Sequence, residues 1–222
     1  MTSDRRDFLA RLTAAGLAVT AGGSVIVPAP AEGGTVAPEF DDTWTRRVAA
    51  ARHRAVFDSA EPEEGIALRH ARFYRDGYRE ALGVEGADVV VPVVVLRHAA
   101  TVLAFDDAIW ARYGVAKLRD VKDPTTQQHT AHNPFSRPHT DEERRRTGEF
   151  LEGLVASGVV VLACNLAARR IAGAMARQAG ADQAQVYAEV RAGLVPGVIL
   201  QPSGIYATAR AQEVGCVHLR SS

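Results

Sequence analysis

A cysteine and a histidine that each follow an apolar run are the residues of this sequence best suited to chemistry. Cys164 follows residues 159–163, which read Val-Val-Val-Leu-Ala, and it precedes a helical pattern. If that run is a strand of a parallel sheet, Cys164 lies at the carboxyl edge, where such sheets bind ligands. Amide groups at the start of the next helix favour an anionic sulfur, and the thiolate is both a nucleophile and a metal ligand. The alternative is a small buried residue, because free cysteines are often buried.

The other candidates come from the same predicted edge of the sheet. His98 follows a second apolar run, where a histidine can orient a substrate or carry a proton; alternatively, it begins a helix and bonds to main chain. Asp58, Asn165 and Ser203 follow or adjoin predicted strands, although these residue types also cap helices. We therefore predict Cys164 and His98 as catalytic residues, and Asp58, Asn165 and Ser203 as ligand-binding residues.

Cys216 and a group of histidines carry weaker signals. Cys216 is predicted to be structural, and a Cys164–Cys216 disulfide stays open because it requires Cα atoms within about 7 Å. His129 and His132 have a spacing that can hold one metal ion between two imidazoles, but no cysteine or carboxylate completes a known motif. The prediction is therefore no metal, with these two histidines as weak candidates, and no cofactor, because Gly-rich phosphate loops are absent from the sequence.

Strand-like and helix-like segments that alternate along the chain position these residues. Strands are predicted at 54–58, 89–96, 159–163, 196–200 and 216–219, and helices at 65–82, 99–113, 141–156, 165–179, 182–194 and 205–214. Such alternation predicts a parallel sheet with helices on both faces. Residues 115–142 show little periodicity and are predicted to form a long surface excursion, with Phe135 on the core or on a neighbouring subunit.

The first residues have the pattern of an export signal. Residues 3–9 read SDRRDFL, an apolar Ala- and Gly-rich run follows, and small residues at 29 and 31 suit cleavage after Ala31. We predict a twin-arginine signal peptide at 1–31, a flexible spacer at 32–43 and one α/β domain at 44–222. The twin-arginine export machinery is then a partner of the precursor, and the mature protein is periplasmic or secreted, without stable membrane insertion.

Composition agrees with an ordinary globular domain. Hydrophobic residues make up 47% of the 222 residues and charged residues 23%, and the formal net charge is zero. No basic excess favours a nucleic-acid partner, and none is predicted. Two cysteines are too few for a disulfide-dense scaffold.

Four pieces of the mature chain, spread over residues 53–220, resemble the DsrE/DsrF-like family of sulfur-relay and related small α/β proteins. They are VVVLRH at 93–98, GVVVLACN at 158–165, LVPGV at 194–198 followed by PSGI at 202–205, and ARAQEVG at 209–215. The resemblance implies a flavodoxin-like three-layer sandwich with a mostly parallel five-stranded sheet, and a homo-oligomer. It also implies that Cys164 matches the cysteine that carries persulfide sulfur in the sulfur-relay members.

Two functions are therefore expected. The first is an exported DsrE-like protein that carries sulfur or binds a small ligand at Cys164 and passes sulfur to a partner thiol protein. The alternative is a non-enzymatic ligand-binding or assembly protein without thiol chemistry, whose oligomer interface uses the long excursion. Whether the protein is an enzyme is left open by the sequence.

Overall fold

Five apolar segments form one parallel sheet. The computed structural model describes residues 39–145 and 149–221, so the predicted signal peptide and most of the predicted spacer lie outside the described residues. The strands are β1 (His53–Ser59), β2 (Val90–Leu96), β3 (Val160–Cys164), β4 (Ile199–Gln201) and β5 (Val217–Arg220). Their order across the sheet is β4-β3-β2-β1-β5, and every neighbouring pair is parallel.

The helices follow the strands in the order that a doubly wound fold requires. In chain order they are α1 (Trp44–Ala50), α2 (Ile66–Leu82), α3 (Asp107–Tyr113), α4 (Val115–Arg119), α5 (Asp141–Arg145), α6 (Leu151–Ala156), α7 (Asn165–Ala179), α8 (Gln183–Ala192) and α9 (Gly204–Glu213). Short 3₁₀ turns lie at Glu63–Gly65 and His98–Ala104. None of the helices in residues 39–145 and 149–221 combines the length and apolar character that a bilayer span requires.

Alternate residues of the strands are buried in two separate cores, one on each face of the sheet. Phe57 of β1 and Leu96 of β2 point into the larger core, which also contains buried residues of α2, α6, α7 and α8. Val56 and Val95, one position earlier on the same strands, point into the smaller core with residues of α1 and α9. Period-two alternation in strands that are apolar on both faces is the reason for this division. The protein is an α/β three-layer sandwich with a parallel five-stranded sheet, and the predicted fold class is confirmed.

The strand connections place helices on opposite faces. From β1 to β4 the chain moves steadily across the sheet, and its connecting helices pack into the larger core. From β4 it turns back past β1 to form β5, and α9 packs on the other face. This is what right-handed crossovers produce when the direction of travel reverses. Pro92 lies before the part of β2 that pairs with β3, so only the ladder to β1 is present there.

Three predicted elements are wrong in detail. The helix predicted at 99–113 is a 3₁₀ turn and α3, because Asp106 caps α3 by accepting the Ile109 amide at 2.9 Å. The helix predicted at 141–156 is α5 and α6, since α6 begins only after extended Phe150. The strand predicted at 196–200 is shorter in the structure: β4 contains only the last two predicted positions and Gln201.

The 115–142 segment is packed onto its own domain. Buried Asn133 donates from Nδ2 to the carbonyls of Leu103 and Phe105, both at 2.7 Å. Phe135 is 4% exposed and belongs to the larger core, so of the two predicted locations it takes the core. It lies against Gly65, where an added Cβ would be 2.6 Å from the Phe135 ring. The segment therefore has fixed main-chain and side-chain anchors.

Candidate functional site

A cleft opens at the carboxyl edge of the sheet between β3 and β4. β3 leads into α7 on one face and β4 leads into α9 on the other, so the two chains diverge there. Ligands of open α/β sheets bind at such a reversal. The cavity measures about 570 Å³. We call it the carboxyl-edge cleft, and its lining consists of Glu61, Arg97, His98, Ala99, Arg119, Cys164, Leu166, Ala167, Arg170, Ile171, Ser203, Gly204 and Ile205.

Cys164 lies where β3 becomes α7 and lines this cleft. Its Sγ accepts a hydrogen bond from the Ala167 amide at 3.4 Å, in the place that a side-chain oxygen takes at an ordinary N-cap. The residue is 6% exposed and is not part of a disulfide. Its sulfur is therefore held against the first turn of α7 at the wall of the cleft.

Arg97 follows β2 and is fixed by Asp58 at the end of β1. The guanidinium donates from Nε to one carboxylate oxygen at 2.6 Å and from Nη2 to the other at 2.9 Å. These hydrogen bonds, together with the negative charge of Asp58, raise the pKa of Arg97. Gly204 makes this position possible, because a Cβ there would lie 2.3 Å from Arg97 Cβ. Asp58 thus acts beneath the cleft, as the residue that orients Arg97.

His98 and Ser203 line the cleft from two other elements. His98 begins the 3₁₀ turn after β2 with a φ of +49°, a conformation that side chains other than glycine seldom adopt, and it is exposed. Ser203 caps α9, where its Oγ accepts the Tyr206 amide at 3.1 Å. The structure therefore brings together three of the predicted site residues: Cys164, His98 and Ser203.

Asn165, a predicted ligand-binding residue, is turned elsewhere. Its Oδ1 accepts a hydrogen bond from the Tyr187 hydroxyl at 2.5 Å, and its side chain is buried. It therefore ties α7 to α8, and it does not line the carboxyl-edge cleft.

Three arginines of the cleft were missed by the sequence analysis. Arg97 adjoins His98, so its position was foreseeable, but its approach to Gly204 and α9 was not. Arg119 is brought by α4 of the 115–142 segment, and Arg170 lies on the second turn of α7. The one sequence signal for Arg170 is that α7 contains arginines and no acidic residue.

The second cysteine belongs to another part of the fold. Cys216 lies before β5, in the smaller core, whereas Cys164 belongs to the larger one. Both are free thiols, so the disulfide left open by the sequence is not formed. Burial raises the pKa of the Cys216 thiol to about 11, which keeps it protonated near neutral pH.

The histidines of the 115–142 segment are each engaged with different neighbours. His129 Nε2 lies 2.9 Å from an Asp120 oxygen, while His132 stacks on His139 with ring centroids 3.8 Å apart. Burial and the neighbouring His139 lower the pKa of His132. Within residues 39–145 and 149–221, the histidine, cysteine, aspartate and glutamate side chains form no group of three or more that could hold a metal ion.

Comparisons with known proteins give no information about function. No family model matches the sequence, and no curated protein matches it. A solved structure that it resembles is that of a protein of unknown function from Methanobacterium thermoautotrophicum, with 18% identity and a TM-score of 0.37 over 76% of this chain and 98% of that chain. A likeness of that degree says nothing about activity.

Proposed function

We propose that this protein is a small-ligand-binding sulfur carrier that presents Cys164 as its thiol nucleophile. The observation that carries the proposal is the position of Cys164 Sγ, at the wall of a cleft of about 570 Å³ that also contains three arginines. The resemblance to the DsrE/DsrF-like family adds to it, since Cys164 matches the sulfur-carrying position there. Export through the twin-arginine pathway and homo-oligomer formation belong to the same proposal.

The chemical step uses the Cys164 thiolate and a sulfane sulfur donor such as thiosulfate. The thiolate attacks the outer sulfur of thiosulfate, a sulfur–sulfur bond forms at Cys164, and the bond to the sulfite group breaks. Sulfite leaves with the electron pair of that bond, so a persulfide anion and sulfite are the products. A thiolate of a partner protein then attacks the outer sulfur of the protonated persulfide and releases the Cys164 thiolate.

The neighbours of Cys164 fit this sequence. Guanidinium groups pair with the oxygens of thiosulfate and of the departing sulfite through charge-assisted hydrogen bonds. Arg97 is held for that role by Asp58, with which it forms two hydrogen bonds. His98, exposed in the same cleft, is placed to exchange a proton with the persulfide.

Persulfide labelling followed by mass spectrometry tests the proposal. Purified protein is incubated with thiosulfate, blocked with an electrophilic tag that distinguishes thiols from persulfides, and digested. We expect the persulfide at Cys164 in the native protein and in C216A, and none in C164A. Cys216 is the matched control because it is also a buried free cysteine, yet it lies in the other core. Absence of label at Cys164, or equal label at both cysteines, would refute the carrier function.

Ligand binding without thiol chemistry is the second candidate. It is favoured by Arg119 and Arg170, whose side chains line the cleft whether or not Cys164 reacts. In that case C164A retains ligand binding in full, and the persulfide experiment gives no label in any variant.

A further inference from the structure

Two guanidinium groups of the carboxyl-edge cleft have no partner in the part of the chain that the structure describes. The side chains of Arg119 and Arg170 form no hydrogen bond or ion pair with a residue of 39–145 or 149–221, although both line the cleft. The nearest acid in sequence to Arg119 is Asp120, which bonds to His129. Arg170 has no acidic residue on its own helix. Both charges are therefore available to a ligand.

A second cavity shows that the arginines lining a cavity of this protein do not always lack partners. It measures about 560 Å³, lies between α2 and α6, and is lined by three arginines as well. Each of those has a partner: Arg72 pairs with Glu149, Arg79 pairs with Asp76, and Arg75 donates to the Ser157 carbonyl. All three guanidinium groups are thus engaged at that cavity, whereas two of the three in the carboxyl-edge cleft are not.

The charge of the carboxyl-edge cleft is positive after its internal pairs are removed. Arg97 is matched by Asp58, which leaves Arg119 and Arg170 facing one carboxylate, Glu61. A positive, concave surface concentrates anions, and arginine pairs with planar or tetrahedral oxyanions through two hydrogen bonds at once. The cleft is therefore suited to a ligand with an anionic head.

Two exposed apolar side chains also line the cleft, so the ligand is expected to have an apolar part as well as an anionic head. Leu166 is 58% exposed and Ile205 is 70% exposed, and both line the cleft from the first turns of α7 and α9. Sites for organic ligands combine apolar side chains with polar groups that fix the orientation of the ligand. An inorganic oxyanion would leave this apolar surface uncovered.

We propose that the carboxyl-edge cleft binds a small organic acid, whose sulfonate, phosphate or carboxylate head pairs with Arg119 and Arg170 and whose short apolar part covers Leu166 and Ile205. This deepens the proposed function, on which it rests, by naming the ligand class of the same site. Inorganic thiosulfate then occupies only the charged half of the cleft.

Calorimetric titration of C164A with alkanesulfonates tests the inference without thiol chemistry. The probes are methane-, butane- and hexanesulfonate at low ionic strength, with butylammonium as a cation of matched length. We expect the sulfonates to bind about two- to four-fold more tightly for each added methylene that becomes buried, and butylammonium not to bind. Equal binding of the sulfonate and ammonium probes, or no binding of any sulfonate at millimolar concentration, overturns the inference.

Matched arginine and lysine variants locate the charged half. R119Q and R170Q are expected to weaken butanesulfonate binding at least five-fold each. R169Q and K117Q remove the same charge from neighbouring exposed positions of α7 and α4 that do not line the cleft, and they are expected to stay within two-fold. Arg169 lies over the Tyr187 ring, 5.0 Å from its centroid. An equal effect of R169Q and R170Q contradicts the proposal.

A leucine pair locates the apolar half in the same way. L166S is expected to abolish the gain between butane- and hexanesulfonate. L82S, a change of a similarly exposed leucine at the end of α2, is expected to leave that gain intact. If both variants keep the gain, the apolar wall is not part of the site.

The failures of the two proposals give different patterns. Sulfonate binding in C164A with no persulfide in the native protein refutes the sulfur carrier and leaves the organic-acid site standing. Persulfide at Cys164 together with sulfonate affinities that R119Q and R170Q do not change refutes the organic-acid site and leaves the carrier standing.

Discussion

Replacing Gly204 with alanine tests the contact that places Arg97 in the cleft. A Cβ at this position would lie 2.3 Å from Arg97 Cβ, 3.2 Å from its Cγ and 3.0 Å from its Cδ. The Cβ of Arg97 is attached directly to main chain at the end of β2, so rotation of the side chain cannot relieve the closest contact. Either α9 or the end of β2 must move, and the pair between Arg97 and Asp58 is broken or strained as a result.

The expected loss of stability follows from three contributions. Overpacking of a close contact costs about 1–3 kcal/mol. Loss of the two hydrogen bonds to Asp58 costs about 1–2 kcal/mol, a range reduced for partial exposure, since the side chains are 23% and 13% exposed. Alanine returns at most about 1 kcal/mol through helix propensity, and less at the first residue of a helix. The free energy of unfolding of G204A is therefore expected to fall by about 1–5 kcal/mol.

Urea unfolding measures this loss, with G77A as the comparison. Gly77 lies inside α2, and apart from its neighbouring residues and the helix's own backbone no atom lies within 4 Å of a Cβ built there. G77A is thus expected to gain about 0.5–1 kcal/mol from helix propensity alone. Both variants replace a helical glycine, so the difference between them reports the contact with Arg97. A G204A protein as stable as the native one would refute the reasoning.

Two changes at Arg97 separate the steric part of the loss from the electrostatic part. R97A keeps the Cβ, so in that background G204A should still cost about 1–3 kcal/mol. R97G removes the Cβ, and in that background the cost of G204A should nearly vanish. The same cost in all three backgrounds would mean that the contact between residues 97 and 204 is not what the glycine permits.

Three further predictions concern stability away from the cleft. Burial raises the pKa of the Cys216 thiol from 9.0 to about 11. As the pH rises, the unfolded chain therefore loses this proton before the folded protein does, and the free energy of unfolding falls between pH 9 and 11. In urea titrations at stepped pH, C216A should remove up to about 2 kcal/mol of that fall. N133A leaves two buried carbonyls without their donor, and it should lower the free energy of unfolding by about 2–4 kcal/mol and expose residues 115–142 to limited proteolysis. Y187F should cost about 1–2 kcal/mol in the same unfolding assay by leaving Asn165 Oδ1 unpaired, with no change in persulfide formation at Cys164.

The strands were the most predictable part of this fold. Runs such as 89–96 and 159–163 are β-branched and apolar on both faces, a pattern that parallel strands between two layers of helices share. One of the helix errors arose where a polar side chain caps a helix inside the predicted range. The spacing of apolar residues places Asp106 inside a predicted helix. In the structure its carboxylate caps α3, and the segment before it is a 3₁₀ turn. Period alone does not distinguish a cap from a helical residue.

Only those residues of the cleft that lie at the ends of strands could be predicted from the sequence. Cys164 ends a strand and His98 and Ser203 each follow one, so one rule about carboxyl edges placed all three together. Arg119 could not be found that way, because it lies on α4, well beyond the end of β2, and reaches the cleft through the packing of that helix on the larger core. Long-range contacts of this kind leave no periodic trace in the sequence.

The shape of the cleft and its charge are set by different residues. The opening between β3 and β4 follows from the reversal of the chain direction, and buried side chains of both cores hold it. Arg119 and Arg170, by contrast, are exposed and their side chains are unpaired within the described chain, so their replacement breaks no hydrogen bond or ion pair there. Surface charges of this kind contribute little to folding. Changes of affinity in R119Q and R170Q therefore report recognition of the ligand by these two side chains, because neither belongs to the cores that hold the sheet and its helices.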